Sequence, residues 1–173
     1  MALTLYDVTV PSFMQTLRAL SGLLDKAEAH CAEKNVSPAA CISARLFDDM
    51  QPFSFQVAQT VSHSAGAIKA VQAGSFSPDP TPPPESFAGL KAMVAESLAQ
   101  LGRYTPADVN ALEGRDMLFV FKDRKLPFTA ENFLLSFSLP NFYFHVTTAY
   151  DILRHNGVAI GKRDFLGQLR LKQ

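Results

Sequence analysis

The sequence predicts a mainly α-helical chain folded as a four-helix bundle, and three observations carry that expectation. Apolar residues recur at spacings of three and four over long stretches. Capping residues, prolines and glycines cut those stretches into four long helices. Only one short segment is rich in β-formers, which leaves room for no more than a small hairpin. With 173 residues the chain suits one domain, 1–173, able to bury a sizeable core. No period of roughly 20–50 residues repeats, so a solenoid is excluded.

The elements follow in order. Pro11 fits the first turn of a helix, where a missing N–H costs nothing. Phe13, Leu17, Leu20, Leu24 and Ala27 then mark one amphipathic face, and this first helix ends near Lys34-Asn35. Ser37-Pro38 opens a shorter helical piece carrying Ile42, Leu46 and Phe47, which stops near Gln51-Pro52. A second long helix runs from Phe53 to about Ala73 and is ended by Gly74. Pro78, Pro80 and Pro82 to Pro84 make a loop that cannot be helical. Glu85 or Ser86 opens the third long helix, with Phe87, Leu90, Val94, Leu98 and Leu101 on its inner face and Gly102 at its end. Thr105-Pro106 reads as a short capped turn. Met117 to Phe121, the polar turn Lys122 to Lys125, and Leu126 to Phe128 form the hairpin between helices three and four. Thr129 caps the last helix, Pro140 kinks it, and it resumes at Asn141 and stops at Gly157.

Composition narrows the function classes. Lysine plus arginine and aspartate plus glutamate number 16 each, so no electrostatic footprint for nucleic acid exists. Lys162, Arg163, Arg170 and Lys172 read as a solvated terminal turn. No apolar run reaches the roughly 20 residues a membrane span needs. The N-terminal stretch MALTLYDVTVPSF lacks a basic region and a continuous apolar run, so a cytoplasmic location is expected. Cys31 and Cys41 have neither a CxxC nor a zinc-finger spacing and read as buried, reduced thiols.

Dinucleotide, P-loop, nucleophile-elbow, HExxH and EF-hand motifs are all absent. Polar chemistry therefore rests on His30, His63, His145 and His155. At about 100° per residue, His145 shares a face with Asn141, Ala149, Ile152 and Asn156, with Thr148 close by. His155 lies about 80° from His145 on the wheel. Asp151 and His155 form an i,i+4 pair able to share a metal or a hydrogen bond. On the second long helix His63 lines up with Gln56, Ala67 and Ala70, about 100° from the apolar stripe of Val57, Val61, Ile68 and Val71, which places it at the rim of the core. Each of these has a plain structural alternative, because a lone histidine on a helix is more often a hydrogen-bonded core or surface residue than a ligand. Phe142, Tyr143 and Phe144 read as core packing.

The segment PNFYFHVTTAYDILRHNGVAIGKRDFLG, Pro140 to Gly167, resembles the C-terminal signature of a bacterial domain-of-unknown-function family grouped with the DinB-like four-helix bundles. The opening LYDVTVPSFMQTLRALSGLLDKAEAH resembles that family's first helix. The resemblance implies a DinB-like bundle with one histidine ligand from the second helix and an HxxxH pair near the end of the last, together holding one divalent ion such as zinc, nickel or manganese. It also implies relatives that are hydrolases or thiol-dependent transferases. Here His63 matches the second-helix ligand and His155-Asn156-Gly157 the end of the pair. The residue four before His155 is Asp151, and the residue four after His145 is Ala149. The expected ligand pool is therefore His63, His145, Asp151 and His155, with His145 as the catalytic group and Asn141, Thr148 and Asn156 in support. Two functions stay open. One is a metal-dependent enzyme acting on a small molecule. The other is a non-catalytic small-molecule-binding or structural bundle, as a homodimer, that has lost the metal and carries no cofactor.

Overall fold

The computed structural model describes residues 2–172. The first helix, α1 (Leu5–Lys34), starts earlier than Pro11 because Thr4 and Asp7 cap it reciprocally: the Thr4 hydroxyl accepts from Asp7 N at 3.3 Å and the Asp7 carboxylate accepts from Thr4 N at 3.1 Å. Pro11 lies inside the helix. The stripe from Phe13 to Ala27 is fully buried, and Asn35 ends the helix in the left-handed region at φ 53°. The short helix α2 (Pro38–Ser43) stops well before Gln51. Leu46 and Phe47 consequently lie exposed in a turn instead of on a helix.

The second rod keeps its expected span but changes pitch midway. It is built of α3 (Phe53–Val61), a wide turn π1 (Ser62–Gly66) and α4 (Ala67–Ala73). Thr60 and Ser64 turn their hydroxyls back to carbonyls four residues earlier, each at 2.8 Å, and such bonds compete with the regular ladder. Gly66 adds backbone freedom at the end of the wide turn. Gly74, at φ 79°, ends the rod as the sequence implies.

The third rod, α5 (Phe87–Leu101), is capped by the Ser86 hydroxyl, which accepts from Gly89 N at 3.1 Å. A short capped helix, α6 (Pro106–Asn110), follows. The hairpin is β2 (Asp116–Phe121) paired antiparallel with β3 (Arg124–Thr129), with Leu118 opposite Pro127. A proline is tolerated in β3 because that strand lies at the sheet edge. A third strand, β1 (Ser75–Phe76), adds in parallel to β2 just after Gly74. At two residues it is too short to leave a periodicity in the sequence.

The last rod comprises α7 (Ala130–Asn132), a second wide turn π2 (Phe133–Ser138) and α8 (Leu139–His155). The expected interruption at Pro140 takes the form of π2, which ends two residues before the proline. A wider turn lets the ring clear the preceding carbonyls without breaking the rod. The four rods pack with α3 against α8 and α1 against α5 around one buried cluster. A small helix, α9 (Lys162–Leu166), then folds back on α1, where Lys26 Nζ meets the Asp164 carboxylate at 2.6 Å and Gln15 Nε2 donates to Leu166 O at 3.0 Å. No helix among the described residues is long and apolar enough to cross a membrane.

Candidate functional site: a paired-imidazole centre

The two wide turns meet at one point. His63, on π1, is 5% exposed, and its Nδ1 lies 3.2 Å from the hydroxyl of Ser138 on π2. Ser138 Oγ also donates toward His63 O at 3.5 Å, which leaves its lone pairs to accept from Nδ1–H. His63 is therefore deeper than the helical wheel implies. A π turn places more than the regular number of residues in one revolution, so a wheel of constant pitch assigns the wrong face from Ser62 onward.

His145, on α8, is half-buried beside it. The two rings are nearly parallel, at 11°, with centroids 5.8 Å apart. His145 Nδ1 lies 2.8 Å from Gln56 Oε1 on α3. Gln56 is 2% exposed, and its Nε2 donates to Gln51 O at 2.9 Å, which fixes the orientation of its amide. The oxygen of that amide therefore faces His145, so Nδ1 carries the hydrogen and Nε2 presents a lone pair. Neither Nε2 has a hydrogen-bond partner within the described protein, and neither is among its sealed, unpartnered polar atoms. Each consequently keeps contact with solvent.

Aromatic rings enclose the pair. Phe76 of β1 stacks on His63 at 5.4 Å and Phe137 meets it edge-on at 5.7 Å, while Phe55 and Phe144 flank His145 at 6.1 and 5.2 Å. Burial pushes the His63 pKa down to about 4, with the neighbouring His145 adding to the shift, and burial alone pushes His145 down to about 4. Both rings are neutral at pH 7.

The other expected ligands lie elsewhere. His155 is ten residues beyond His145, about 15 Å further along the helix, and is exposed. Asp151 is half-buried, and no ion pair joins it to His155 among the described residues. His30 sits against Gly157, toward the end of the bundle where α8 stops. The expected supporting groups turn back on their own helix: Asn141 Nδ2 donates to Phe137 O, Thr148 Oγ1 to Phe144 O and Asn156 Nδ2 to Ile152 O, at 2.7, 2.8 and 2.7 Å. Ala149, four residues after His145, is fully buried and offers no donor atom. Among the described residues no group of three or more His, Cys, Asp or Glu side chains is placed to hold a metal ion. The donor set thus does not fit a metal held by three protein ligands, and two imidazoles are all that converge.

Sequence reasoning missed the partners that orient the pair. Gln56 was visible as a residue on the His63 face, yet it serves His145. Ser138 carried no signal, because its placement depends on π2.

Four long rods packed around one buried cluster define the class: a helical bundle. The fold agrees with the crystal structure of a DinB family member protein from Shewanella denitrificans, at a TM-score of 0.81 and 31% sequence identity, covering 98% of this chain and 95% of that one. The chain belongs to the family described as a domain of unknown function, DUF1993, whose model matches residues 5–166. No curated protein matches it significantly.

Proposed function

We propose that this chain binds a small polar molecule at the His63–His145 pair, through hydrogen bonds accepted by the two Nε2 atoms, without a metal held on protein ligands alone. The observation that supports this is the pairing of two parallel, neutral imidazoles whose Nδ1 atoms are both occupied by protein acceptors. Tethering Nδ1 fixes each ring and aims its remaining lone pair. A general base works best with a pKa near the operating pH. At about 4 the two rings are weak proton acceptors, yet they remain competent hydrogen-bond acceptors. A ligand carrying two N–H or O–H donors a few ångströms apart, such as an amide or a diol, matches that pattern.

A second reading is favoured by one feature. A tethered Nδ1–H with a free Nε2 is also how metal-binding histidines are oriented. Two such rings supply two of the four ligands of a tetrahedral zinc, or two of the larger set a six-coordinate nickel or manganese takes, to be completed by oxygen atoms of a ligand.

One experiment separates the two. Chelator-treated wild type, His63→Ala and His145→Ala are titrated with each of the three metals and, separately, with a panel of small amides and diols. The readout is the ring 15N shifts. The first reading expects the organic panel to move both rings and metal uptake to stay well below one equivalent. One equivalent of metal, lost in both variants, with the organic panel inert, sinks it in favour of the second.

A further inference from the structure

A second concave surface lies on α1, where the C-terminal tail folds over it. After α9 the chain turns at Gly167, whose φ of 60° favours glycine. The tail lies close on the helix there: a methyl group on Gly167 would sit 3.2 Å from Ala19 Cβ. Gln15 Nε2 donates to Leu166 O at 3.0 Å, and the Arg170 guanidinium donates to Ser12 Oγ at 3.2 Å. These contacts step down α1 from Ala19 to Ser12 as the tail advances to Arg170, so the tail runs antiparallel to the helix. A groove of about 440 Å³ lies between the two. That volume falls within the roughly 300–1,000 Å³ typical of small-molecule sites.

The groove carries charge of one sign. Arg18 lines it from α1 and Arg170 from the tail, and neither forms an ion pair with a described group. Among the described residues no Asp or Glu lines it. Two acids on the flanking helices are engaged elsewhere: Asp7 caps the start of α1, and Asp164 of α9 holds Lys26. Arg170 uses one N–H on Ser12 and keeps the others. The remaining lining residues are all uncharged, and Pro11, Met14, Leu169 and Leu171 give the groove an apolar wall. A guanidinium fork matches the oxygens of a carboxylate or phosphate. Two such forks with no acid beside them favour a dianion, and a phosphate monoester carries a charge of about −1.5 to −2 at pH 7. We infer that this groove binds a small phosphate monoester with an apolar substituent, its phosphate held by Arg18 and Arg170 and its substituent against Met14 and Leu169. The site shares no residue with the imidazole pair or its hydrogen-bond partners.

The probe is phenyl phosphate, compared with inorganic phosphate, with phenol and with phosphatidylglycerol vesicles. Binding is mapped by backbone amide shifts, and vesicle binding is read by co-sedimentation. The expected result is saturable binding of phenyl phosphate that moves Met14, Arg18 and Leu169 and weakens as salt rises. Inorganic phosphate, which lacks the apolar body, should bind at least about fivefold more weakly, and phenol should not bind. Arg18→Gln and Arg170→Gln should each weaken binding by at least about tenfold with the melting temperature unchanged, since both side chains are exposed. Arg18→Lys should recover part of that loss, because it keeps the charge and gives up the fork. Absence of saturable binding at millimolar phenyl phosphate, equal binding of phenol, or unchanged affinity in either glutamine variant would overturn the assignment. Shifts centred on Gln56 and His145 would do the same by placing the ligand at the imidazole pair. Co-sedimentation with vesicles without binding of phenyl phosphate would overturn it in favour of a lipid surface.

Discussion

Gln56 Oε1 accepts the Nδ1 hydrogen of His145 across 2.8 Å, and the same amide is locked by its bond to Gln51 O. One side chain thereby sets the tautomer of the more accessible imidazole. Gln56→Leu should leave Nδ1–H unpaired and cost about 1–3 kcal/mol in urea denaturation. Gln56→Glu should raise the His145 pKa above its present value of about 4, read by NMR titration, because a carboxylate beside Nδ1–H favours the cation. No rise in that variant would mean the contact is not made in solution.

Acid should destabilise the fold through the pair. In the folded chain the rings take up protons only near pH 4, whereas an unfolded histidine does so near 6.5. Between those values the unfolded state binds more protons, so stability is lost as pH falls through that window and is level above it. For His63, which is almost wholly buried, the loss is on the order of 3 kcal/mol. Denaturation midpoints at pH 7 and pH 4.5 should differ strongly in wild type and much less in a variant lacking both rings.

His63 should be replaceable by shape more readily than by nothing. His63→Phe keeps a ring against Phe76 and loses one bond to Ser138, for about 1 kcal/mol. His63→Ala leaves a cavity between two rods, for about 2–4 kcal/mol. Equal losses in urea denaturation would mean that packing does not decide the site.

The two cysteines should be inert in the native state. Both are buried, and burial, with the adjacent Cys31 thiol adding to it, pushes Cys41 up to about 12. The Cys41 thiol therefore stays protonated at pH 8, and the thiolate is the form that reacts. A thiol reagent should therefore modify Cys41 far more slowly in buffer than in denaturant, and comparable rates would contradict the burial.

How far the sequence could be read follows from these residues. The rods were legible because Phe13 to Ala27 and Phe87 to Leu101 repeat at helical spacing, and because Asn35, Gly74 and Gly157 stop helices by backbone conformation. The start of α1 was hidden because the Thr4–Asp7 box is a weaker sign than Pro11. The strand β1 and the helix α9 were too short to show a period. At the site, His63 and His145 were legible as candidates, but their meeting depends on π1 and π2. A change of helical pitch leaves no mark in a 100° wheel, so neither the depth of His63 nor the partner Ser138 could be derived. The Asp151–His155 spacing was suggestive in sequence, but its distance along α8 removes it from the pair.

The central claim is that His63 and His145 are a fixed, neutral, Nε2-open pair. Long-range 1H–15N correlation of the imidazole rings at neutral pH tests it most directly. The account predicts that both rings carry hydrogen on Nδ1 and a bare Nε2, with protonation delayed to about pH 4. A ring protonated at Nε2, or one titrating near 6.5, would contradict it.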